Sequence, residues 1–278
     1  MSGYEILVLA SPGTYAWPMT AAPQALVGVP TVAATRYVTP LREGGSLPAL
    51  MEADDDGLYV VKFRGAGQGA KALVAELLAG ELGRSLGLKV PELVFVELDP
   101  ALGRAEPDPE IQDLLDASPG LNLGVDFLPG ALSFDAAEPR EALSPELAAD
   151  IVWFDALTAN VDRTPRNPNM LLWHGRLWLI DHGAAIYHQH AASDLPAQAR
   201  APFAAIRNHV LLPHAASILE ADDRLAPRIP ATTPRELASM IPPAWQEHPP
   251  EAYAAWLERR LEPPRAFAQE AENARGRE

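Results

Sequence analysis

Residues 160–183 read NVDRTPRNPNMLLWHGRLWLIDHG, in which a polar loop precedes two short apolar runs and a final Asp-His-Gly turn. The runs MLLW and LWLI are separated only by HGR, so this stretch predicts two strands joined by a tight turn. Asp162 lies in the polar loop, Asn169 immediately precedes the first strand, and Asp181 follows the second. Because the outer ends of a hairpin lie side by side, we expect these three side chains to converge.

These three groups suit phosphoryl transfer. That chemistry uses one carboxylate to orient the attacking hydroxyl, and an amide with a second carboxylate to hold Mg²⁺ on the nucleotide. Asp162 is the predicted catalytic carboxylate, and Asn169 and Asp181 are the predicted metal ligands. The order resembles the catalytic loop and Asp-Phe-Gly turn of protein kinases, with His182 in place of Phe. An Asp-Arg-Thr-Pro segment alone is also typical of an ordinary capped turn. The interpretation as a phosphoryl-transfer site therefore depends on the hairpin and on the second Asp.

A lysine and a glutamate upstream complete the predicted site. Lys62 ends the strand-like run LYVVK, the pattern expected of a lysine that contacts the α- and β-phosphates. Glu76 lies in a predicted helix and is its expected ion-pair partner, with Glu81 as an alternative. Taken alone, the lysine and the glutamate fit solvated surface positions better, but the downstream motif reverses that preference.

Other nucleotide-binding candidates are less specific. Gly44 and Gly45 are predicted to form a phosphate-covering turn, and the glycines of segment 65–69 offer a second candidate. A plain hairpin or linker explains either segment equally well. Arg163 is predicted either to contact a phosphate or to pair with a nearby carboxylate. The segment FLPG at 127–130 is a plausible hinge between two lobes.

The first part of the chain is predicted to be rich in strands. The opening run MSGYEILVLASPG favours a strand over a signal peptide, because no Lys or Arg precedes its apolar residues. Leucines at three- and four-residue spacing predict a helix over 70–86 that stops at Gly87. Segment 41–57 reads as turns with a hairpin tip at ADDDG, and 99–119 as irregular. The further predicted strands are TVAATRYV (31–38), GLYVVKF (57–63), VPELVFVEL (90–98) and LNLGVDFLPG (121–130).

The second part is predicted to be mostly helical. Ser144, Pro145 and Glu146 form a helix start, and that helix ends near Asn160. Beyond about residue 194 the chain reads as short helices separated by prolines. The order of elements predicts an α+β, two-lobed fold with a nucleotide-binding lobe at 1–135 and a helical lobe at 136–278.

The chain resembles the HipA-like kinase family, whose members are similar to the serine/threonine kinase HipA and, in the Asp-Arg loop, to lipid kinases. The resemblance covers about residues 30–215, and the loop and hairpin are its most specific part. The segments that carry it are ELLAG (76–80), LGL (86–88), VPE (90–92), FDAL (154–157), NVDRT (160–164), NPN (167–169) and IDHG (180–183).

This resemblance implies a protein-kinase-like fold and an ATP- and Mg²⁺-dependent transfer of the γ-phosphoryl group to a hydroxyl of a protein or small molecule. The usual kinase loop places its Asn five residues after the Asp, which here is Asn167, whereas Asn169 directly precedes the strand. We favour Asn169 as the metal ligand and keep Asn167 as the alternative. A catalytically inactive nucleotide-binding regulator and an adenylyl transferase are the other functions considered.

Composition limits the remaining possibilities. A formal charge of −15 argues against sequence-independent binding to nucleic acid, although a nucleotide substrate remains compatible because Mg²⁺ bridges carboxylates and phosphates. The chain has no cysteine, which excludes disulfides and thiolate metal sites. No run approaches the roughly 20 apolar residues of a membrane-spanning helix. We therefore expect a cytoplasmic enzyme without a nucleic-acid or membrane partner.

Overall fold

Strands with alternating apolar residues close the first part of the chain into a barrel. The computed structural model describes residues 26, 28–41, 47–99, 101–102, 108–135, 142–191 and 194–276. The barrel order is β1-β2-β3-β5-β4; β1 pairs in parallel with β4, and the other neighbours are antiparallel. Its strands are β1 (Thr31–Pro40), β2 (Ala49–Ala53), β3 (Leu58–Lys62), β4 (Leu93–Leu98) and β5 (Gly120–Asp126).

The barrel has its own apolar interior, which includes Val61 and Val94. Because side chains alternate along a strand, Val60 and Lys62 point away from this interior. Gly124 on β5 is required by close packing, since an added Cβ would lie 2.7 Å from a methyl carbon of Val94. The alternation of β3 therefore directs the predicted nucleotide-binding lysine to the outside of the barrel.

Two elements differ from the sequence prediction. β2 lies within segment 41–57, which was predicted to form turns, and α2 (Pro109–Asp116) lies within 99–119, which was predicted to be irregular. Asp108 caps α2 by accepting the backbone N–H of Glu110 at 3.1 Å. Both predictions were wrong because the elements are short. The helix-start signal Asp108-Pro109 introduces a helix of only eight residues, and β2 has only five residues. The strand predicted in the opening run lies outside the described residues.

A long helix packs against the barrel. α1 (Gly69–Leu86) confirms the helix predicted over 70–86, and it buries Leu73 and Leu77 in the main core. Gly87 ends it with a φ of +90° and donates its N–H to Arg84 O at 2.9 Å. This left-handed backbone conformation favours glycine because a Cβ would be strained there.

The second part of the chain begins with a buried helix. α3 (Pro145–Thr158) starts after Ser144, whose Oγ accepts the N–H of Leu147 at 3.1 Å. Nearly every residue of α3 after its first turn is buried, so this helix forms the centre of the core. The predicted cap and helix are confirmed.

The predicted hairpin follows α3. It consists of β7 (Met170–Trp173) and β8 (Arg176–Leu179), and β6 (Leu132–Ser133) pairs with β7 on the other side. His174 and Gly175 form the turn, with φ values of 48° and 70°. Two residues with positive φ are typical of the tightest hairpin turns, whose twist matches that of the strands.

Short helices separated by prolines complete the chain, as predicted. They are α4 (Ile218–Leu225), α5 (Thr233–Ser239), α6 (Pro250–Leu261) and α7 (Ala266–Arg275), with several 3-10 turns before and between them. Between α5 and α6, Trp245 donates its indole N–H to Leu121 O at 3.0 Å and packs edge-on against Phe95, with ring centroids 5.5 Å apart. The C-terminal helices therefore reach back to the barrel.

One continuous apolar core joins α1, α3 and the C-terminal helices, separate from the barrel interior. The lobe boundary at 135/136 stays a prediction, and β6, which lies just before it, already pairs with the hairpin of the second part. Within the described ranges, no helix combines the length and the apolar character needed to cross a membrane.

Candidate active site

One ammonium group connects the two parts of the chain. Lys62, the last residue of β3, places Nζ 2.6 Å from Glu76 Oε2 on α1 and 2.6 Å from Asp181 Oδ1 after β8. The side chain of Glu76 is buried, whereas that of Asp181 is 49% exposed. Glu81, the alternative partner, lies 3.4 Å from Arg84 instead. The structure thus brings together Lys62, Glu76 and Asp181, all of which were predicted site residues.

The charges of this cluster stabilise one another. Burial alone would lower the pKa of Lys62, but the carboxylates of Glu76 and Asp181 outweigh burial and raise that pKa above its ordinary value. Burial likewise opposes ionisation of Glu76, yet the charge of Lys62 lowers the pKa of Glu76 to about 2. Lys62 and Glu76 are therefore both charged at neutral pH.

The Asp-His-Gly turn packs against α1. A Cβ added at Gly183 would lie 3.6 Å from Glu76 Oε2. His182 is fully buried, and its ring packs edge-on against Phe154 with centroids 5.9 Å apart. Its Nδ1 lies 3.6 Å from Glu76 Oε1, which is too long for a hydrogen bond. These contacts give His182 a packing role in the place where kinases have Phe.

Asp162 lies in the loop before the hairpin and is partly buried. Its Oδ2 accepts hydrogen bonds from Asn167 Nδ2 at 2.7 Å and Asn169 Nδ2 at 3.3 Å, and its N–H donates to Asn160 Oδ1 at 3.1 Å. Burial raises the pKa of Asp162; the amide hydrogen bonds oppose this shift and the negative charge of Asp181 adds to it. A raised pKa makes a carboxylate a better proton acceptor.

The open end of the hairpin presents an amide and a carboxylate next to each other. Ile180 donates its N–H to Asn169 O at 3.0 Å, so Asn169 lies opposite the residue that precedes Asp181. Asn169 and Asp181 have φ values of 49° and 56°, in the left-handed region. Asn and Asp tolerate that region better than other non-glycine residues. The backbone and the chemistry therefore favour the same residue types at both positions.

The oxygen donors of this end fit a magnesium nucleotide. Among the residues that the structure describes, no cluster of three or more His, Asp or Glu side chains could hold a metal ion by itself. Mg²⁺ in nucleotide sites is usually held by one or two protein carboxylates together with phosphate oxygens. Asp181 and Asn169, with Asn167 as the alternative, match such an incomplete set of protein ligands.

A buried ionic network supports the Asp162 loop from below. Asp155 Oδ2 on α3 lies 2.5 Å from Arg163 Nε and 2.9 Å from His209 Nε2, and its Oδ1 accepts a hydrogen bond from Asn160 at 3.1 Å. His209 Nδ1 accepts the N–H of Leu211 at 3.1 Å, so Nε2 carries the proton and donates it to Asp155. Burial opposes ionisation, but the charge of Arg163 keeps the pKa of Asp155 far below its usual range.

Arg163 pairs with a buried carboxylate, which is the second of the two roles predicted for it. Its guanidinium is fully buried, and besides Asp155 it donates to the backbone carbonyls of Asn169 and Ile180. This burial replaces the predicted phosphate contact with a positioning function, because a phosphate at this guanidinium would have to enter the core. His209 is a site-supporting residue that the sequence analysis missed, and no local pattern identifies it, since it lies 54 residues from its partner Asp155.

The predicted glycine-rich candidates have different outcomes. Gly44 and Gly45 lie outside the described residues. In the second candidate, the N–H of Gly65 donates to Ser118 Oγ at 3.0 Å, and an added Cβ would lie 2.7 Å from Ala117. That N–H is already satisfied within the protein, so this turn has a packing role at Gly65.

The predicted hinge is tied to the hairpin. Pro129 O, within segment 127–130, accepts the indole N–H of Trp173 at 3.0 Å. This bond connects the segment after β5 to the end of β7, and therefore joins the hinge to the sheet that carries the Asp162 and Asp181 loops.

The sequence matches a known protein family. The family described as HipA-like kinase matches residues 35–259. This match extends beyond residue 215, where the resemblance of the sequence was expected to end, and includes α4, α5 and most of α6. No curated protein sequence matches the chain.

The fold of this chain is similar to those of solved kinase structures. The crystal structure of the Helicobacter pylori proinflammatory kinase CtkA is 15% identical, covers 89% of this chain and 99% of its own, and gives a TM-score of 0.53. The Golgi casein kinase with Mn and ADP bound is 15% identical over 93% of this chain and 75% of its own, with a TM-score of 0.47. The similarity to CtkA confirms the two-lobed protein-kinase-like fold, with a strand-rich first lobe and a helical second lobe.

We expect the Glu76→Gln substitution to reduce the dependence of stability on acid pH. The pKa of Glu76 is lowered in the folded chain, so its stabilising effect is present above its unfolded value and is lost as the pH falls from about 4.5 towards 2. The free energy of unfolding in urea should fall less between pH 6 and pH 3 in the variant, by up to about 2 kcal/mol. The exposed Glu97→Gln variant is the control, and an unchanged acid slope in Glu76→Gln would contradict the charge assignment.

We expect Arg163→Met to destabilise the fold by about 3–5 kcal/mol, because Asp155 would lose its buried countercharge. Arg235→Met is the matched control: its partner Glu258 lies 3.0 Å away, but Arg235 is exposed, so its loss should cost no more than about 1 kcal/mol. Urea unfolding at pH 7 measures both. Equal losses would show that the Asp155 network is not a structural support.

Proposed function

Because the chain belongs to the HipA-like kinase family, we propose that it transfers the γ-phosphoryl group of ATP to a hydroxyl group in a Mg²⁺-dependent reaction. The observation that supports this most is the position of Lys62, whose ammonium contacts both Glu76 on α1 and Asp181 after the hairpin. A surface lysine would not be held by two carboxylates from separate parts of the chain. This cluster provides a cation for phosphates next to a carboxylate for a metal.

In this proposal Asp162 accepts the proton of the acceptor hydroxyl. The acceptor oxygen forms a bond to the γ-phosphorus, the bond from the γ-phosphorus to the β–γ bridging oxygen breaks, and ADP leaves. The partial burial and raised pKa of Asp162 favour proton acceptance. Most of the acceleration is expected from positioning and charge stabilisation, since phosphoryl transfer requires little covalent work from the protein.

The other residues bind and orient the nucleotide. Lys62 contacts the α- and β-phosphates, and Glu76 holds its ammonium in place. Asn169 and Asp181 hold Mg²⁺, which supplies charge neutralisation at the phosphates when it is bound. Asn167 makes the shorter hydrogen bond to Asp162, and we assign it the orientation of that carboxylate. The proposed acceptor is a hydroxyl of a protein or small molecule, and the proposed location is cytoplasmic.

We expect Asp162→Asn to lower the turnover number by about 10²–10⁴-fold, because proton acceptance is lost while the nucleotide contacts remain. The measurement is transfer from γ-labelled ATP to a mixture of casein and serine- and threonine-containing peptides, with ADP release followed in parallel. Asp116→Asn, at an exposed position on α2, is the matched control and should retain full activity.

The same assay separates the alternatives. Equal turnover by wild type and Asp162→Asn would contradict the role of Asp162. Mg²⁺-dependent thermal stabilisation by ATP without any product would favour an inactive nucleotide-binding regulator. Mass spectrometry of the acceptor distinguishes a phosphoryl from an adenylyl adduct.

We expect Asn169→Ala and Asn167→Ala to affect different steps. Asn169 lies beside Asp181, so its loss should raise the Mg²⁺ concentration required for ATP-dependent thermal stabilisation by about tenfold or more. Asn167→Ala is the matched variant and should lower turnover while its Mg²⁺ requirement stays close to that of wild type. The opposite pattern would assign the metal to Asn167.

A further inference from the structure

A concave region lies among the C-terminal helices, and Lys62 does not line it. It is a cleft of about 800 Å³ between the 3-10 turns of segment 196–208 and α7, and none of the candidate active-site residues lines it. This volume is in the range that accommodates a drug-sized ligand or a few residues of peptide. A single inorganic phosphate would fill only a small part of it.

The charge of this cleft is opposite to that of the chain. The sequence as a whole has a formal charge of −15, yet the lining contains more cations than acids. The acids are Asp222 and Glu270, and the cations are Arg200, Arg207, Arg259, Arg260 and Arg265. An anionic ligand is therefore favoured here over a neutral or cationic one.

Three of these arginines are already engaged. Arg265 pairs with Asp222 at 2.7 Å, and Arg200 pairs with Glu262 at 2.8 Å. Arg260 is buried and donates to backbone carbonyls, among them Leu157 O at 2.5 Å. These three shape the cleft: Arg260 and Arg265 each donate several hydrogen bonds within the protein, and Arg200 is held by its single ion pair.

Arg207 and Arg259 differ from the other three. Both are exposed, and within the described ranges neither forms an ion pair or a hydrogen bond with the protein. They come from different walls: Arg207 lies in the 3-10 turn Ala204–Asn208, and Arg259 lies near the end of α6. Two free guanidinium groups on separate walls suit a ligand with several separated negative charges better than one compact anion.

The cleft also contains apolar surface. Leu219 is 39% exposed and is among the few large exposed apolar side chains in the described part of the chain, and it lines the cleft. The first turn of α7, which borders the cleft, contains no acidic residue and has no side-chain cap. The positive N-terminal end of the α7 helix dipole therefore adds to the attraction for carboxylates.

From these observations we propose that the cleft binds an acidic peptide segment in which carboxylate and apolar side chains alternate. Its carboxylates pair with Arg207 and Arg259, and its apolar side chains contact Leu219 and the neighbouring walls. This inference does not depend on phosphoryl transfer, because the two sites share no residue.

The test uses a fluorescein-labelled hexapeptide of alternating glutamate and leucine, with binding to the full chain followed by anisotropy. We expect a Kd of about 100 µM or tighter in low salt, and a weaker Kd as the ionic strength rises. Arg207→Glu and Arg259→Glu should each weaken binding about tenfold or more, since attraction becomes repulsion. Arg176→Glu, an exposed arginine at the hairpin turn, is the matched control and should leave the Kd unchanged.

Several outcomes would overturn the proposal. These are equal binding of the neutral glutamine and leucine peptide, equal weakening by Arg176→Glu, or no binding of the acidic peptide. Tripolyphosphate or inorganic phosphate that binds where the peptide does not would assign the cleft to a small phosphate ligand. Circular dichroism of the variants verifies that a loss of binding is not a loss of fold.

Discussion

The contact of one lysine ammonium with two carboxylates is the constraint on which the site depends. Lys62 is held on the barrel, Glu76 on α1 and Asp181 after the hairpin, so three separate elements must keep their relative positions. Removing charges from water is costly unless the pairing geometry is good. The C-terminal helices help to fix that geometry: Gln189 donates to Lys71 O on α1 at 3.1 Å and accepts the hydroxyl of Tyr253 at 2.9 Å.

A second layer of interactions fixes the loops that carry the carboxylates. Arg163 bonds to the carbonyl oxygens of Asn169 and Ile180, and therefore holds both sides of the open end of the hairpin with one rigid group. Positive φ values at Asn169 and Asp181 cost backbone energy that the surroundings must offset. The buried pair of Arg163 with Asp155 supplies that support, which explains why a fully buried arginine lies directly beneath a polar site.

The sequence predicted the local parts of this arrangement better than the long-range ones. The α1 helix, the capped α3 helix and the hairpin follow from periodicity, capping and turn residues, which act over a few positions. The short elements β2 and α2 were not predicted, because five to eight residues are too few to show a clear periodicity. The role of Arg163 was left open between two partners, and the role of His209 was missed, because both depend on a burial that only the complete tertiary structure creates. The candidate site residues could be named from the resemblance to kinases, whereas the supporting network around Asp155 arises only from the tertiary fold.

For an acidic chain to bind a nucleotide triphosphate, as we propose here, the charge close to the site must favour binding. At the candidate site one ammonium faces the carboxylates of Glu76 and Asp181, with Asp162 nearby, so the cluster is negative before any ligand arrives. A triphosphate would be repelled from such a cluster unless a divalent cation accompanied it. A cation bound by Asp181 would also release Lys62 from one of its two carboxylates and leave its ammonium available to a phosphate. This balance of charges supports the metal dependence that we propose, whichever hydroxyl compound is the acceptor.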